Sequence, residues 1–92
     1  MNEQELAAQL QREGYTHSYV WEDSAGKRYP DDTHALATAN IILSGEITIT
    51  VRGESHLYRS GDRCDIPAKT IHSAVMGPKG CRYLVGEREA AH

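Results

Sequence analysis

The most constraining feature of this sequence is the segment EITITVRG, residues 46–53, in which aliphatic and polar side chains alternate. Successive side chains of a β-strand point to opposite faces, so this alternation predicts a strand with one buried face. Turn signals built around Gly, Pro, Asp and Ser recur roughly every eight to ten residues along the chain. Short strands at such regular spacing are typical of an all-β sandwich or barrel.

The chain divides into three predicted parts. Residues 1–14 are expected to form a helical segment packed on the body, with Asn2 as its cap and Leu6 and Leu10 on one face. Residues 15–87 are expected to form about seven short strands, with DSAGK and GPKG among the turns. Because a closed barrel removes exposed sheet edges, a small barrel or jelly roll is the predicted architecture. Residues 88–92 show no pattern and are predicted to be a flexible tail.

Composition excludes several functional classes. Ten basic residues against thirteen acidic ones give a net charge of −3, which argues against a nucleic-acid partner. No apolar run reaches the roughly 18 residues of a membrane span, and the first residues do not resemble a signal peptide. A cytoplasmic protein without a membrane partner is therefore expected. Cys64 and Cys81 form no CxxC pair and are expected to be reduced, partly buried thiols, with a disulfide or redox switch as the alternative.

Two histidines are the main candidates for a site. Asp32, His34 and Thr38 share one strand face by parity, and Thr70 and His72 share another. If both faces point inward, two imidazoles and one carboxylate meet, which is a ligand set that can hold a first-row divalent ion. The other histidines carry plainer expectations: His17 is predicted to pack against aromatic neighbours and His56 to be solvated.

The spacing of residues 26–45 resembles the first motif of the cupins, G-x5-H-x-H-x3/4-E-x6-G. Gly26, Asp32, His34, Thr38 and Gly45 occupy its defined positions without a gap.

The spacing of residues 61–76 resembles the second cupin motif, G-x5-P-x-G-x2-H-x3-N. Gly61, Pro67, Lys69, His72 and Met76 occupy its positions, with Lys69 where a turn glycine is usual. The resemblance implies a small single-domain cupin barrel of the jelly-roll type with a short N-terminal helix.

The resemblance also implies a ligand set, because the two histidines and the glutamate of the first motif and the histidine of the second hold the metal in cupins. Carried over by position, these ligands become Asp32, His34, Thr38 and His72, with threonine where glutamate is usual. Three interpretations stay open at this point. The barrel could hold a divalent transition metal (Fe, Mn, Ni, Zn or Cu), it could bind a small polar ligand without metal, or the histidines could be residual scaffold.

Two functional classes follow from these interpretations. One is a metal-dependent enzyme, such as an oxygenase or isomerase acting on a small polar molecule; the other is a metal-free ligand-sensing or scaffold module. Tyr29, Asn40 and Thr70 are the predicted polar residues of the pocket. A homodimer is also expected, because Ile41 and Leu43 point away from the barrel interior by parity and need covering by the helix or by a second subunit.

Overall fold

The fold consists of one helix and six antiparallel strands in a computed structural model that describes residues 2–89. The elements are α1 (Glu3–Arg12), β1 (His17–Asp23), β2 (Arg28–Asp32), β3 (Leu36–Val51), β4 (Glu54–Arg59), β5 (Arg63–Ile66) and β6 (His72–Glu89). The all-β class and the short N-terminal helix predicted from the sequence are confirmed.

Two long strands, β3 and β6, organise the sheet. Its order is β1-β6-β3-β4, with β2 added to β6 and β5 added to β3. The β3–β6 ladder runs from the pair Leu36–Glu89 to the pair Val51–His72. All other strands attach to one of these two, so the barrel is built around a single antiparallel ladder.

The structure has fewer and longer strands than the roughly seven that the sequence predicts. The predicted breaks at Gly45 and at GPKG lie inside β3 and β6, where the ladder bends and shifts register instead of ending. Gly45 and Gly80 both have a φ of 75°, and a Cβ on Gly45 would lie 2.1 Å from the carbonyl oxygen of Gly80. Glycine here permits a bend with close backbone contact, so the chain continues where a turn was expected.

The alternation of side chains separates two apolar clusters on opposite faces of the sheet. The barrel interior holds a cluster of buried residues that comprises Ile42, Ile47, Ile49, Cys64, Ile66, Met76, Cys81, Tyr83 and Val85. The outer cluster comprises Leu10, Tyr15, Ala39, Ile41 and Leu84. Neighbouring residues such as Ile41 and Ile42 thus belong to different clusters, as a period of two requires.

Helix α1 covers the outer cluster. The side chain of Asn2 caps the helix by accepting hydrogen bonds from the backbone N–H groups of Gln4 and Glu5 at 2.9 and 3.2 Å. Leu10 is completely buried against the sheet, and Leu43 packs against the same cluster. The helix therefore covers Ile41 and Leu43, the residues whose outward direction led us to expect a homodimer. The homodimer stays a prediction.

Ion pairs hold both ends of α1 to the barrel. Glu13, which follows the helix, accepts two hydrogen bonds from Arg63 at 2.6 and 3.0 Å, and Glu3 pairs with Arg82.

No helix among residues 2–89 is long and apolar enough to span a membrane.

The C-terminal boundary differs from the one predicted. Arg88 and Glu89, which the sequence analysis assigns to a tail, pair with Ala37 and Leu36 in the β3–β6 ladder. Residues 90–92 of the predicted tail lie outside the described residues.

The bend at Gly45 yields a testable prediction. Gly45→Ala is expected to destabilise the protein by about 3 kcal/mol or more, because left-handed strain adds to a backbone clash. Gly53→Ala is the matched control: Gly53 has a φ of 81°, but nothing lies within 4 Å of its Cβ position. It should cost only the strain, roughly 1–2 kcal/mol. Urea unfolding measures both, and equal losses would contradict the proposed role of the close contact.

The Glu13–Arg63 pair predicts a pH dependence. The hydrogen bonds from Arg63 lower the pKa of Glu13 from 4.5 to about 2. Because the folded pKa is depressed, the stabilisation by Glu13 is present above pH 4.5 and is lost as the pH falls towards 2. Glu13→Gln should therefore lower stability at neutral pH and approach the parent protein in acid. Glu5→Gln, at an exposed position of the same helix, is the control and should show no such convergence in pH-dependent urea unfolding.

Candidate functional site

A cavity of about 370 Å³ opens into the barrel. Its floor is aliphatic and is formed by Ile47, Ile49, Ile66, Ala74 and Val85. These side chains come from β3, β5 and β6, so the cavity extends into the apolar interior of the barrel. Polar and aromatic side chains form the rest of its lining.

His34 and His72 meet at this opening. Their rings are stacked, with centroids 4.8 Å apart and planes inclined by 26°. His34 is exposed in the loop before β3, and His72 is half-buried at the start of β6. The two residues flank opposite ends of the β3–β6 ladder, so closure of the barrel brings them together.

The loop before β6 supports this pair through Lys69. The backbone N–H of Lys69 donates to the carbonyl oxygen of His34 at 2.7 Å. Lys69 has a φ of 58°, in the left-handed region, at the position where the motif usually has glycine. The sequence spacing thus correctly placed a sharp turn here, which ties the His34 loop to the strand that carries His72.

Thr70 positions the imidazole of His72. The ring Nδ1–H donates to the carbonyl oxygen of Thr70 at 2.9 Å, so in the neutral ring Nε2 carries the free lone pair. The Thr70 hydroxyl is buried and donates to the carbonyl oxygen of Ala68 at 3.3 Å. Thr70, predicted as a pocket residue, does not line the cavity. Its backbone carbonyl oxygen instead orients the ring of His72, which does.

Thr38 and Asn40 line the cavity on the predicted inward face of β3. The Asn40 side chain is buried, and its Nδ2 donates to Thr38 Oγ1 and to the carbonyl oxygen of Cys64, both at 3.3 Å. The Thr38 hydroxyl, at the usual glutamate position, is therefore part of a hydrogen-bond network with a neighbour.

Asp32 lies next to His72 in the sheet and is an exposed residue at the edge of the cavity. It pairs with His72 in the β2–β6 register, is exposed, and accepts a hydrogen bond from the backbone N–H of Thr33 at 2.8 Å. Within residues 2–89, no group of three or more His, Cys, Asp or Glu side chains could hold a metal ion. The structure thus brings His34 and His72 together without Asp32, which falls short of the three protein ligands of a typical open metal site.

An aromatic wall forms the other side of the cavity, and sequence reasoning did not assemble it. Trp21 Nε1 donates to the Asp23 carboxylate at 3.1 Å, the Tyr29 hydroxyl donates to it at 2.9 Å and the Tyr83 hydroxyl at 3.0 Å. Tyr19 meets Trp21 edge to face, with centroids 6.4 Å apart. The alternation of Tyr19 and Trp21 correctly indicated that they share a face. Asp23, which joins the aromatic residues through hydrogen bonds, could not be recognised because the sequence placed it in a turn.

Burial makes the phenol and thiol groups near the site poor acids. Burial, followed by the hydrogen bond to Asp23, raises the pKa of Tyr83. Burial also raises the pKa of Cys81 to about 11 and the pKa of Cys64 above its ordinary value. Both cysteines are free and buried, as expected from the sequence, and neither is an activated nucleophile.

The remaining described histidines are both exposed, as predicted for His56, whereas His17, predicted to pack against aromatic rings, also lies with Nε2 3.9 Å from the Glu87 carboxylate. The His17 ring lies 5.5 Å from the Tyr19 ring, and His56 is exposed with Nε2 3.1 Å from the Glu54 carboxylate. Neither lines the cavity.

Comparison with known proteins identifies the family. The family model described as the EutQ-like cupin domain matches residues 10–80, which is most of the chain. This chain belongs to the EutQ-like cupin family. No curated protein matches it.

Solved structures agree on the barrel. The cupin domain of Cnp3 from Schizosaccharomyces pombe is 20% identical, with a TM-score of 0.73 over 78% of this chain and 54% of that one. An RmlC-like cupin from Shewanella frigidimarina is also 20% identical, with a TM-score of 0.72 over 82% and 67% of the two chains.

The DMSP lyase DddQ from Ruegeria pomeroyi is 26% identical, with a TM-score of 0.71 over 77% of this chain and 36% of the lyase. The cupin thus spans about half of the solved Cnp3 cupin-domain chain and about a third of the DddQ chain, and these likenesses establish its fold.

Asp32 and Thr38 stand where the cupin motif has a histidine and a glutamate, so restoring these two ligands is expected to create a metal site. The double variant Asp32→His/Thr38→Glu restores the four ligand types of the cupin motif and should bind close to one equivalent of Ni²⁺ or Zn²⁺. The parent protein should bind less than about a tenth of an equivalent after dialysis, because two imidazoles hold a metal weakly without a third ligand. Thr50→Glu alone is the control, since Thr50 lies outside the cavity wall and bonds to Ser55, and it should bind no more metal than the parent protein. Elemental analysis decides, and stoichiometric metal in the parent protein would contradict the prediction.

Proposed function

We propose that this cupin is a ligand-binding module whose barrel holds a small polar molecule without a resident metal. The supporting observation is the stacked pair of His34 and His72 at the opening of a cavity that has an aliphatic floor. The ligand's apolar part contacts the floor, and its polar part hydrogen-bonds to the imidazoles at the opening.

The dimensions and chemistry of the cavity support this function. Its volume of about 370 Å³ is at the lower end of the range for small-molecule pockets, which fits a small metabolite. Such pockets combine an apolar lining with a few fixed polar groups. His72 is fixed by Thr70 and Asn40 by Cys64, so little side-chain entropy is lost when a ligand binds.

Metal-dependent catalysis is the alternative, and the donor set supports it less well. An oxygenase or isomerase that uses Fe, Mn, Ni, Zn or Cu needs a third protein ligand beside His34 and His72. Among the described residues, no group of three or more His, Cys, Asp or Glu side chains could hold a metal ion, the Asp32 carboxylate accepts a hydrogen bond from the Thr33 N–H, and Thr38 replaces the usual glutamate.

A thermal-shift screen of polar metabolites against the protein, freed of metal with chelator, tests the proposal. A ligand at about 100-fold its Kd stabilises the folded state by about 2.7 kcal/mol, which raises Tm by several degrees. His34→Gln and His72→Gln should each weaken the best hit about tenfold, because each removes a recognition contact. His56→Gln alters an exposed histidine outside the cavity and should leave affinity unchanged.

Two outcomes would overturn the proposal. One is the absence of a Tm shift across the screen. The other is binding that requires a stoichiometric transition metal, which would favour the metal-dependent alternative.

A further inference from the structure

The cavity wall is rich in hydrogen-bond acceptors and contains no cationic side chain. Asp31, Asp32 and Glu87 contribute carboxylates, and no Lys or Arg of the described chain lines this cavity. The Nδ1–H of His72 is donated to the carbonyl oxygen of Thr70, so Nε2 is the ring nitrogen that can serve as an acceptor in the cavity. Of these carboxylates, Glu87 lies 3.9 Å from His17 Nε2 and accepts a hydrogen bond from the Tyr19 hydroxyl at 3.2 Å. Because no Lys or Arg of the described residues lines the cavity, the three carboxylates favour a positively charged ligand and repel an anionic one.

Aromatic faces accompany these acceptors. Tyr19, Trp21 and Tyr83 line the same cavity, and the Asp23 carboxylate holds Trp21 and Tyr83 in place through hydrogen bonds of 3.1 and 3.0 Å. Trp21 is 48% exposed although it is the only tryptophan of the chain, so a large ring is kept at the opening. Aromatic rings attract cations through the negative potential of their faces.

Tyr29 shows the same interaction within the protein. The ammonium group of Lys27 lies 5.3 Å from the centroid of the Tyr29 ring. Lys27 lines a neighbouring cavity, so its charge does not occupy the one between the histidines and the aromatic wall. One face of Tyr29 is thus already engaged, and the proposal relies on the other three rings.

We propose that the ligand is a small alkylated cation of the quaternary-ammonium class, which rests on the proposed ligand-binding function. The aromatic rings and the carboxylates attract the charge, and the aliphatic floor contacts the alkyl groups. A hydroxyl on such a ligand donates to Nε2 of His72. An anion or an uncharged molecule of the same shape can contact the aliphatic floor and His72, but it lacks the charge that the rings and carboxylates attract.

Three probes of nearly identical shape separate charge from shape. Choline carries the cation, 3,3-dimethyl-1-butanol is its neutral carbon isostere, and 3,3-dimethylbutanoate is anionic. Because Trp21 is the only tryptophan and lies in the wall, its fluorescence reports occupancy of the cavity directly, and calorimetry confirms each affinity. Choline is expected to bind at least about tenfold more tightly than the alcohol, and the carboxylate most weakly.

Paired variants assign the effect to the ring and to the carboxylate. Tyr19→Leu should weaken choline about five- to tenfold, whereas Tyr19→Phe, which keeps the ring, should stay within about twofold. Glu87→Gln should weaken choline and leave the alcohol unchanged, whereas Glu54→Gln, at an exposed edge-strand position outside the cavity, should affect neither. Circular dichroism verifies that each variant is folded.

The outcomes distinguish this inference from the proposed function. Equal affinity for choline and the alcohol, or tighter binding of the carboxylate, would overturn the cation class and leave the ligand-binding function intact. The same holds if none of the three probes binds while the metabolite screen yields a hit that depends on His34 and His72. Failure of all probes together with an empty screen would overturn both proposals.

Discussion

The antiparallel ladder between β3 and β6 positions nearly every side chain of the candidate site. β3 carries Thr38 and Asn40, and β6 carries His72, Tyr83 and Glu87. β1 and β2 bring their aromatic residues to the cavity by pairing with β6. A change in the β3–β6 register by one residue would turn all of these side chains to the opposite face.

The β3–β6 ladder bends where the backbone at Gly45 lies against the backbone at Gly80. Gly45 and Gly80 approach so closely that a side chain on Gly45 would collide with the Gly80 carbonyl oxygen. The bend allows one pair of strands to contribute to both halves of the barrel, and His34 and His72, which flank opposite ends of the ladder, stack at 4.8 Å. Helix α1 covers the apolar cluster on the outer face of the sheet.

Much of the candidate site could be predicted, because strand parity and motif spacing are local properties. Parity correctly placed Thr38 and Asn40 on the inward face and His72 opposite them. The absence of Asp32 from a three-ligand group among the described residues could not be predicted, because strand parity does not specify that its carboxylate accepts a hydrogen bond from the backbone N–H of Thr33. Thr70 was assigned to the pocket for its side chain, whereas its carbonyl oxygen orients His72.

The sequence by itself determined the alternation of inner and outer residues, the glycine turns and the pair of motifs that identify a cupin barrel, because each depends on residues close in the chain. Only the tertiary structure decided the aromatic wall and the donor set. Asp23 gathers Trp21, Tyr29 and Tyr83 from three strands, and the Tyr83 contact spans 60 residues. Such contacts form only after strands far apart in the chain have paired. Local sequence patterns do not specify them, because each side chain has several possible partners.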